Sequence, residues 1–180
     1  RAPIDKAECP PGGETGCAGS HAAFHLTNLS GLAVLRGFDG AIRLFLPAGF
    51  GLRTTLAYAW GEGQNPVPGG VPTRIPLSRV PPLNGTAELS WRRAGVYLAA
   101  GLRWARMQDR LAISDQSDQR IPLGGTPGFA VVDLRAGYRW TPNFLFAGVL
   151  ENLGGAPYRY HGSSVNGPGR SFNMLLELGF

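Results

Sequence analysis

Apolar and polar positions alternate along most of this chain in runs of strand length. That period of two marks a β-strand with one apolar and one polar face. Leu52, Thr54, Leu56, Tyr58 and Trp60 oppose Arg53, Thr55, Ala57 and Ala59. Gly85, Ala87, Leu89 and Trp91 oppose Thr86, Glu88, Ser90 and Arg92, and Val96, Leu98, Ala100, Leu102 and Trp104 oppose Tyr97, Ala99, Gly101, Arg103 and Ala105. Upstream, residues 24–47 read as one long strand or two joined at a bend, with Phe38, Ile42, Leu44 and Leu46 against Asp39, Ala41 and Arg43. Downstream come 129–140, 144–153 and 171–180; the last sets Phe172, Met174, Leu176, Leu178 and Phe180 against Asn173 and Glu177.

The connections alternate in length: short at 47–49, long at 61–83, short at 93–94, long at 108–128, short at 141–143, long at 154–170. A β-sandwich would space its turns more evenly. Outer-membrane barrels show this rhythm, with short periplasmic turns and longer extracellular loops. Trp60, Trp91, Trp104, Tyr138 and Trp140 fall near strand ends on the apolar side, where an interfacial aromatic girdle belongs. Counting inward and outward strands back from a periplasmic end makes 24–47 an inward strand and 1–21 an extracellular loop. The count reaches about seven, below the eight of the smallest bacterial barrels, and an open sheet edge in lipid leaves costly unpaired backbone groups. The expected fold is therefore all-β: an antiparallel meander of about seven strands over 22–180, an open or incomplete part of a transmembrane outer-membrane barrel.

Composition agrees with two-faced strands. Gly (27) and Pro (15) are abundant and only 16% of residues are charged, which is unlike a disordered chain. No run approaches the ~18–20 apolar residues of a membrane-spanning helix, and residues 1–20 lack the apolar core of a signal peptide. The net charge of +5 comes from arginines scattered one or two per strand. A nucleic-acid binder would cluster them on one face or in one run, so no nucleic-acid partner is expected. Cys9 and Cys17 lie in a Pro/Gly-rich stretch and read as a local disulfide. The alternative is a metal site completed by His21 and His25, although the spacing lacks a short cysteine knuckle.

No constellation suggests catalysis. His161 with Ser163 or Ser164 lacks an orienting carboxylate nearby, and residues 124–128 and 167–169 are turns without the lysine of a phosphate loop. Asp109, Asp115 and Asp118 match no Ca²⁺-binding spacing. No metal or cofactor is expected.

The closing stretch resembles a known family. Val132-Asp133-Leu134-Arg135-Ala136-Gly137-Tyr138, then Glu151-Asn152-Leu153 followed by Tyr158-Arg159, then Val165-Asn166-Gly167-Pro168-Gly169-Arg170, and a terminal Phe180 resemble in order and spacing the C-terminal end of TonB-dependent outer-membrane receptors. The resemblance implies a Gram-negative outer-membrane location and a barrel of about 22 strands around a plug domain. It also implies uptake of a scarce nutrient such as a ferric siderophore, haem or cobalamin, driven by the inner-membrane TonB complex through that plug. The plug, its TonB-contacting segment and the preceding strands lie outside the resemblance. Phe172, Leu176, Leu178 and Phe180 resemble the signal read by the outer-membrane assembly machinery. Arg120, Tyr158, Arg159, Tyr160 and His161, in the long loops, are the candidate ligand contacts, because Arg and Tyr suit anionic or catechol-like ligands. Two other readings remain open: a small outer-membrane barrel, adhesive or enzymatic, that closes by oligomerising, and a soluble secreted β-sandwich that binds a ligand.

Overall fold

The computed structural model describes residues 4–8, 24–28, 31–65 and 71–179. These contain β1 (Ile4–Glu8), β2 (Phe24–Asn28), β3 (Val34–Phe45), β4 (Phe50–Gln64), β5 (Arg74–Pro76), β6 (Asn84–Arg93), β7 (Val96–Ala105), β8 (Phe129–Thr141), β9 (Phe144–Glu151) and β10 (Ser171–Leu178). A single helical turn, α1 (Ile113–Gln116), interrupts the loop between β7 and β8. The seven long strands form one sheet in the order β10-β9-β8-β7-β6-β4-β3, with β5 added to the far end of β4. Every adjacent pair is antiparallel, and among the described residues β3 and β10 are its free edges. The expected seven-strand meander is present, and it is open.

Register carries the alternation of each strand across the whole sheet. Leu44, Leu52, Leu89, Ala100, Leu134, Leu150 and Phe172 stand opposite one another in turn, one from each long strand. The neighbouring row reads Arg43, Arg53, Glu88, Gly101 and Asp133. Opposed residues in an antiparallel pair point the same way, so one face is apolar along the middle of the sheet, with charged residues only toward its rims, and the other is polar. The apolar face is bare: Phe38, Ile42, Leu89, Leu98, Phe146 and Phe172 are all exposed. Water does not tolerate a contiguous apolar surface of this extent; hydrocarbon does.

The short turns are built for close strand return. Ala94 and Gly95 both take positive φ (48° and 80°), which is how two-residue hairpins match the twist of their strands. A side chain at Gly95 would also strike the Arg139 carbonyl. At Pro47–Gly49 the Trp91 indole Nε1 donates to the Ala48 carbonyl at 3.0 Å. At the opposite end Trp60 lies between the guanidinium groups of Arg36 and Arg110, 4.3 and 4.6 Å from its ring centre. The aromatic residues thus occupy both rims.

Several boundaries differ from expectation. Residues 24–47 take the two-strand alternative, but β2 pairs with β1 rather than with the large sheet. The stretch 1–21, read as loop, contains β1; its charged Ile4–Glu8 sequence shows little alternation, and only its pairing with β2 reveals a strand. β4 runs on to Gln64 because residues 62–64 gain a partner in β5. β9 stops at Glu151 because Asn152 turns to φ 49°. Cys9, Cys17, His21 and Phe180 lie outside the described residues.

The two faces predict opposite responses to one substitution. In the intact barrel, Leu134→Arg on the apolar face should cost about 2–4 kcal/mol near the bilayer midplane, whereas Asn173→Arg on the polar face should cost under about 1 kcal/mol. Urea unfolding in lipid vesicles measures both, and equal costs would contradict the assignment of faces.

Candidate functional site

At the long-loop end of the polar face, β7 and β8 bring Arg103 beside Asp133. Arg103 Nε donates to Asp133 Oδ2 at 3.0 Å and Nη2 to Oδ1 at 3.2 Å, a two-point pair. Asp133 is 3% exposed and accepts a third bond, from the Asn152 backbone N–H at 2.9 Å. Asn152 is itself buried. Its side chain donates to the carbonyls of Ala156 (2.9 Å) and Pro168 (3.0 Å) and accepts from the Ala156 N–H (2.9 Å). One residue just past β9 therefore holds both ends of the 152–170 loop. The third Arg103 nitrogen, Nη1, donates to the hydroxyls of Tyr158 and Tyr160, each at 3.4 Å. Phe129, Tyr158 and Tyr160 pack ring against ring at 5.0–5.9 Å. A side chain at Gly167 would fall inside the Tyr158 ring, so a glycine is required there.

The three long loops are joined to one another. Asp115, in α1, accepts from Ser78 Oγ (2.6 Å), the Arg79 N–H (3.1 Å) and the Ala112 N–H (3.3 Å). Gln108 exchanges backbone bonds with Thr126 and donates through Nε2 to the Val80 carbonyl at 2.6 Å. Thr126 Oγ1 then meets His161 Nδ1 at 2.9 Å, linking the second loop to the third. His161 Nε2 is buried with no partner among the described residues. Burial pushes the imidazole below its usual pKa, against the pull of Asp115 and Asp118.

Between loops and sheet lies a cavity of about 200 Å³ whose lining includes Arg103, Arg106, Arg159, Tyr160, His161 and Thr126, and no carboxylate. Of the five candidate ligand residues, the structure brings Arg159, Tyr160 and His161 to this cavity. Tyr160 is half exposed at 51%, whereas Tyr158 is 5% exposed and packs as an anchor. Arg159 Nε donates to Asn166 at 2.8 Å. Arg120 lies apart, its guanidinium held by Asp118 at 2.6 and 2.8 Å. Arg103, Asp133, Asn152 and Asp115 were not among the candidates, although Asp133 and Asn152 sit inside two of the motifs that carry the resemblance.

Comparison with known proteins decides the family. The model of the TonB dependent receptor-like β-barrel matches residues 5–153. The chain belongs to the TonB-dependent receptor family. Among solved structures it is similar in fold to the copper transporter OprC, with a TM-score of 0.71 at 22% sequence identity. The match covers 88% of this chain and 25% of the transporter, so the chain spans about a quarter of that protein's length. No curated protein matches it.

As part of a TonB-dependent receptor barrel, this sheet lies in the Gram-negative outer membrane. The apolar face meets lipid, the polar face the lumen, and the short turns the periplasm. Phe172, Leu176 and Leu178 project from β10 onto the lipid side, opposite Leu150, Phe146 and Phe144.

The Asp133 junction predicts a specific failure. Asp133→Ala leaves Arg103 and the Asn152 N–H without their acceptor and should cost about 3 kcal/mol, read as faster proteolysis within 154–170 of the intact receptor. The exchange of Arg103→Asp with Asp133→Arg should not restore protection, since arginine cannot accept from Asn152.

His161 predicts a pH dependence. Its docked pKa lies below the usual 6.5, so as pH falls through the window beneath 6.5 the undocked loop takes up a proton that the docked loop does not. Docking weakens toward acid. Hydrogen exchange of 154–170 should rise below pH 6.5 in the parent receptor and stay flat in His161→Gln.

Proposed function

We propose that this chain supplies closing strands and three extracellular loops to a receptor importing a scarce nutrient, in the class of ferric siderophores, haem or cobalamin, and that its wall favours the anionic complexes among them. The cavity beneath the loops carries this reading: three arginines and Tyr160 line it without a carboxylate. Asp133 balances Arg103, while the Arg106 guanidinium has no partner among the described residues and the Arg159 guanidinium bonds only a neutral amide. A bare metal cation meets repulsion there. A metal wrapped in carboxylate, catecholate or phosphate oxygens meets guanidinium donors and an aromatic hydroxyl. The likeness to a copper transporter therefore supports a metal-linked cargo more than a naked ion at this wall. At about 200 Å³ the cavity is below the ~300–1,000 Å³ of complete ligand pockets, which suits one wall of a site shared with the rest of a barrel.

This reading calls for a plug domain in the lumen, the TonB complex acting through it, and the outer-membrane assembly machinery reading Phe172, Leu176, Leu178 and Phe180. It assigns ligand contact to Arg106, Arg159, Tyr160 and His161, and loop positioning to Tyr158. Arg120 is a rim contact only if a ligand displaces it from Asp118.

Uptake by cells carrying the intact receptor tests the assignment, with a ferric catecholate complex and copper(II) ion as the two probes. Arg106→Ala and Arg159→Ala should each raise the half-saturating concentration of the ferric complex about tenfold, near 1.4 kcal/mol. Tyr160→Phe should have a smaller effect. Unchanged ferric uptake in the double arginine variant, or transport of copper ion alone, would overturn the anionic assignment.

A further inference from the structure

The lipid-facing side of the sheet is not uniformly raised. Toward the short-turn end it sinks into an apolar cavity of about 800 Å³, within the ~300–1,000 Å³ of small-molecule sites. Its floor is Ala100, Ala136 and Gly148, three small residues on neighbouring strands β7, β8 and β9. Its walls are large: Phe50, Trp91, Tyr138, Phe146 and Phe172. The Phe172 ring leans over Gly148, where an added Cβ would come within 3.3 Å of it.

Beside this cavity the same face carries a cation. Arg93 follows Trp91 by two residues, so it projects to the same side, and it stands opposite Val96, which lines the cavity. Three arginines of the described strands share the parity of the lipid side, Arg36, Arg74 and Arg93, and Arg74, opposite Gln64, pairs with Glu62 at 3.8 Å. Arg36 stacks on Trp60; Arg93 is exposed and has no partner among the described residues. It adjoins the Ala94–Gly95 turn, hence lies at the periplasmic rim, the level of a lipid headgroup.

We propose that this cavity and Arg93 together bind one glycerophospholipid of the periplasmic leaflet. An acyl chain lies over Ala100, Ala136 and Gly148 between the aromatic walls, and Arg93 grips the headgroup phosphate, which guanidinium matches in charge and in its forked donor geometry. The depression alone would accept any acyl chain. The cation at the short-turn rim selects a phosphate at that depth, which a lipopolysaccharide anchored at the opposite rim does not present. This site is independent of the ligand cavity between the loops, and its test does not depend on transport.

Native mass spectrometry of the intact receptor, extracted in mild detergent and supplied with phosphatidylethanolamine or purified lipopolysaccharide, reads it directly. The parent should retain one phosphatidylethanolamine per copy through delipidation. Arg93→Gln should lower the retained fraction at least fivefold, and Ala136→Leu, which fills the floor while staying apolar, should do the same. Glu177→Gln, exposed on the opposite face of β10, should leave retention unchanged and control for general damage. Equal retention in all three variants, retention of lipopolysaccharide in place of phospholipid, or a dimer that Ala136→Leu abolishes would each overturn the proposal.

Discussion

A backbone inside hydrocarbon has no water to bond, so every N–H and C=O must be met by another strand. The whole arrangement follows from that constraint. It forces consecutive strands into a continuous antiparallel ladder, requires tight hairpins at 47–49, 94–95 and 142–143, and leaves β3 and β10 with edges that demand partners in the membrane. The ladder also transmits side-chain parity. Because register runs unbroken from Leu44 to Phe172, a shift of one residue in any strand would send its aromatic and aliphatic side chains into the lumen and its arginines into lipid.

On the polar face the controlling element is a single carboxylate. Asp133 joins β8 to β7 through Arg103 and to the end of β9 through Asn152. From there the connections spread outward: Asn152 holds both ends of the last loop, Arg103 reaches Tyr158 and Tyr160, and the rings of Phe129, Tyr158 and Tyr160 close over the pair. Breaking a pair of this kind exposes a stranded charge, which is costlier than the intact pair is stabilising. The loops are therefore held as one lid, stitched by Asp115, Gln108 and the Thr126–His161 contact, and the arginine-lined cavity lies under it.

The family motifs acquire physical meaning from this geometry. Asp133, Asn152, Tyr158 and Gly167 come from three separated motifs and meet in one junction, so their spacing records how far each strand and loop must travel to reach it. Tyr158 illustrates the limit of residue type as a guide. An Arg- and Tyr-bearing loop suggests ligand contact, yet the turn that places Tyr160 and Arg159 at the cavity sends Tyr158 inward onto Gly167 and Arg103. Arg120 is similar: its charge is already matched by Asp118 two residues away, a local pairing that loop composition does not disclose.

By itself the sequence determined the number of long strands, the faces of each and the alternation of short and long connections. Those properties are local: a period of two and a Gly/Pro-rich turn can be read without knowing what lies opposite. It did not determine the β1–β2 hairpin, the extension of β4 onto β5, or the end of β9, because each depends on a partner distant in the chain rather than on local pattern. Tertiary structure alone decided the site. Arg103, Asp133 and Asn152 lie 30 and 19 residues apart in successive steps, and His161 meets Thr126 across 35. Only register and loop return bring such groups within hydrogen-bond distance, and only burial separates the tyrosine that anchors from the one exposed at the cavity.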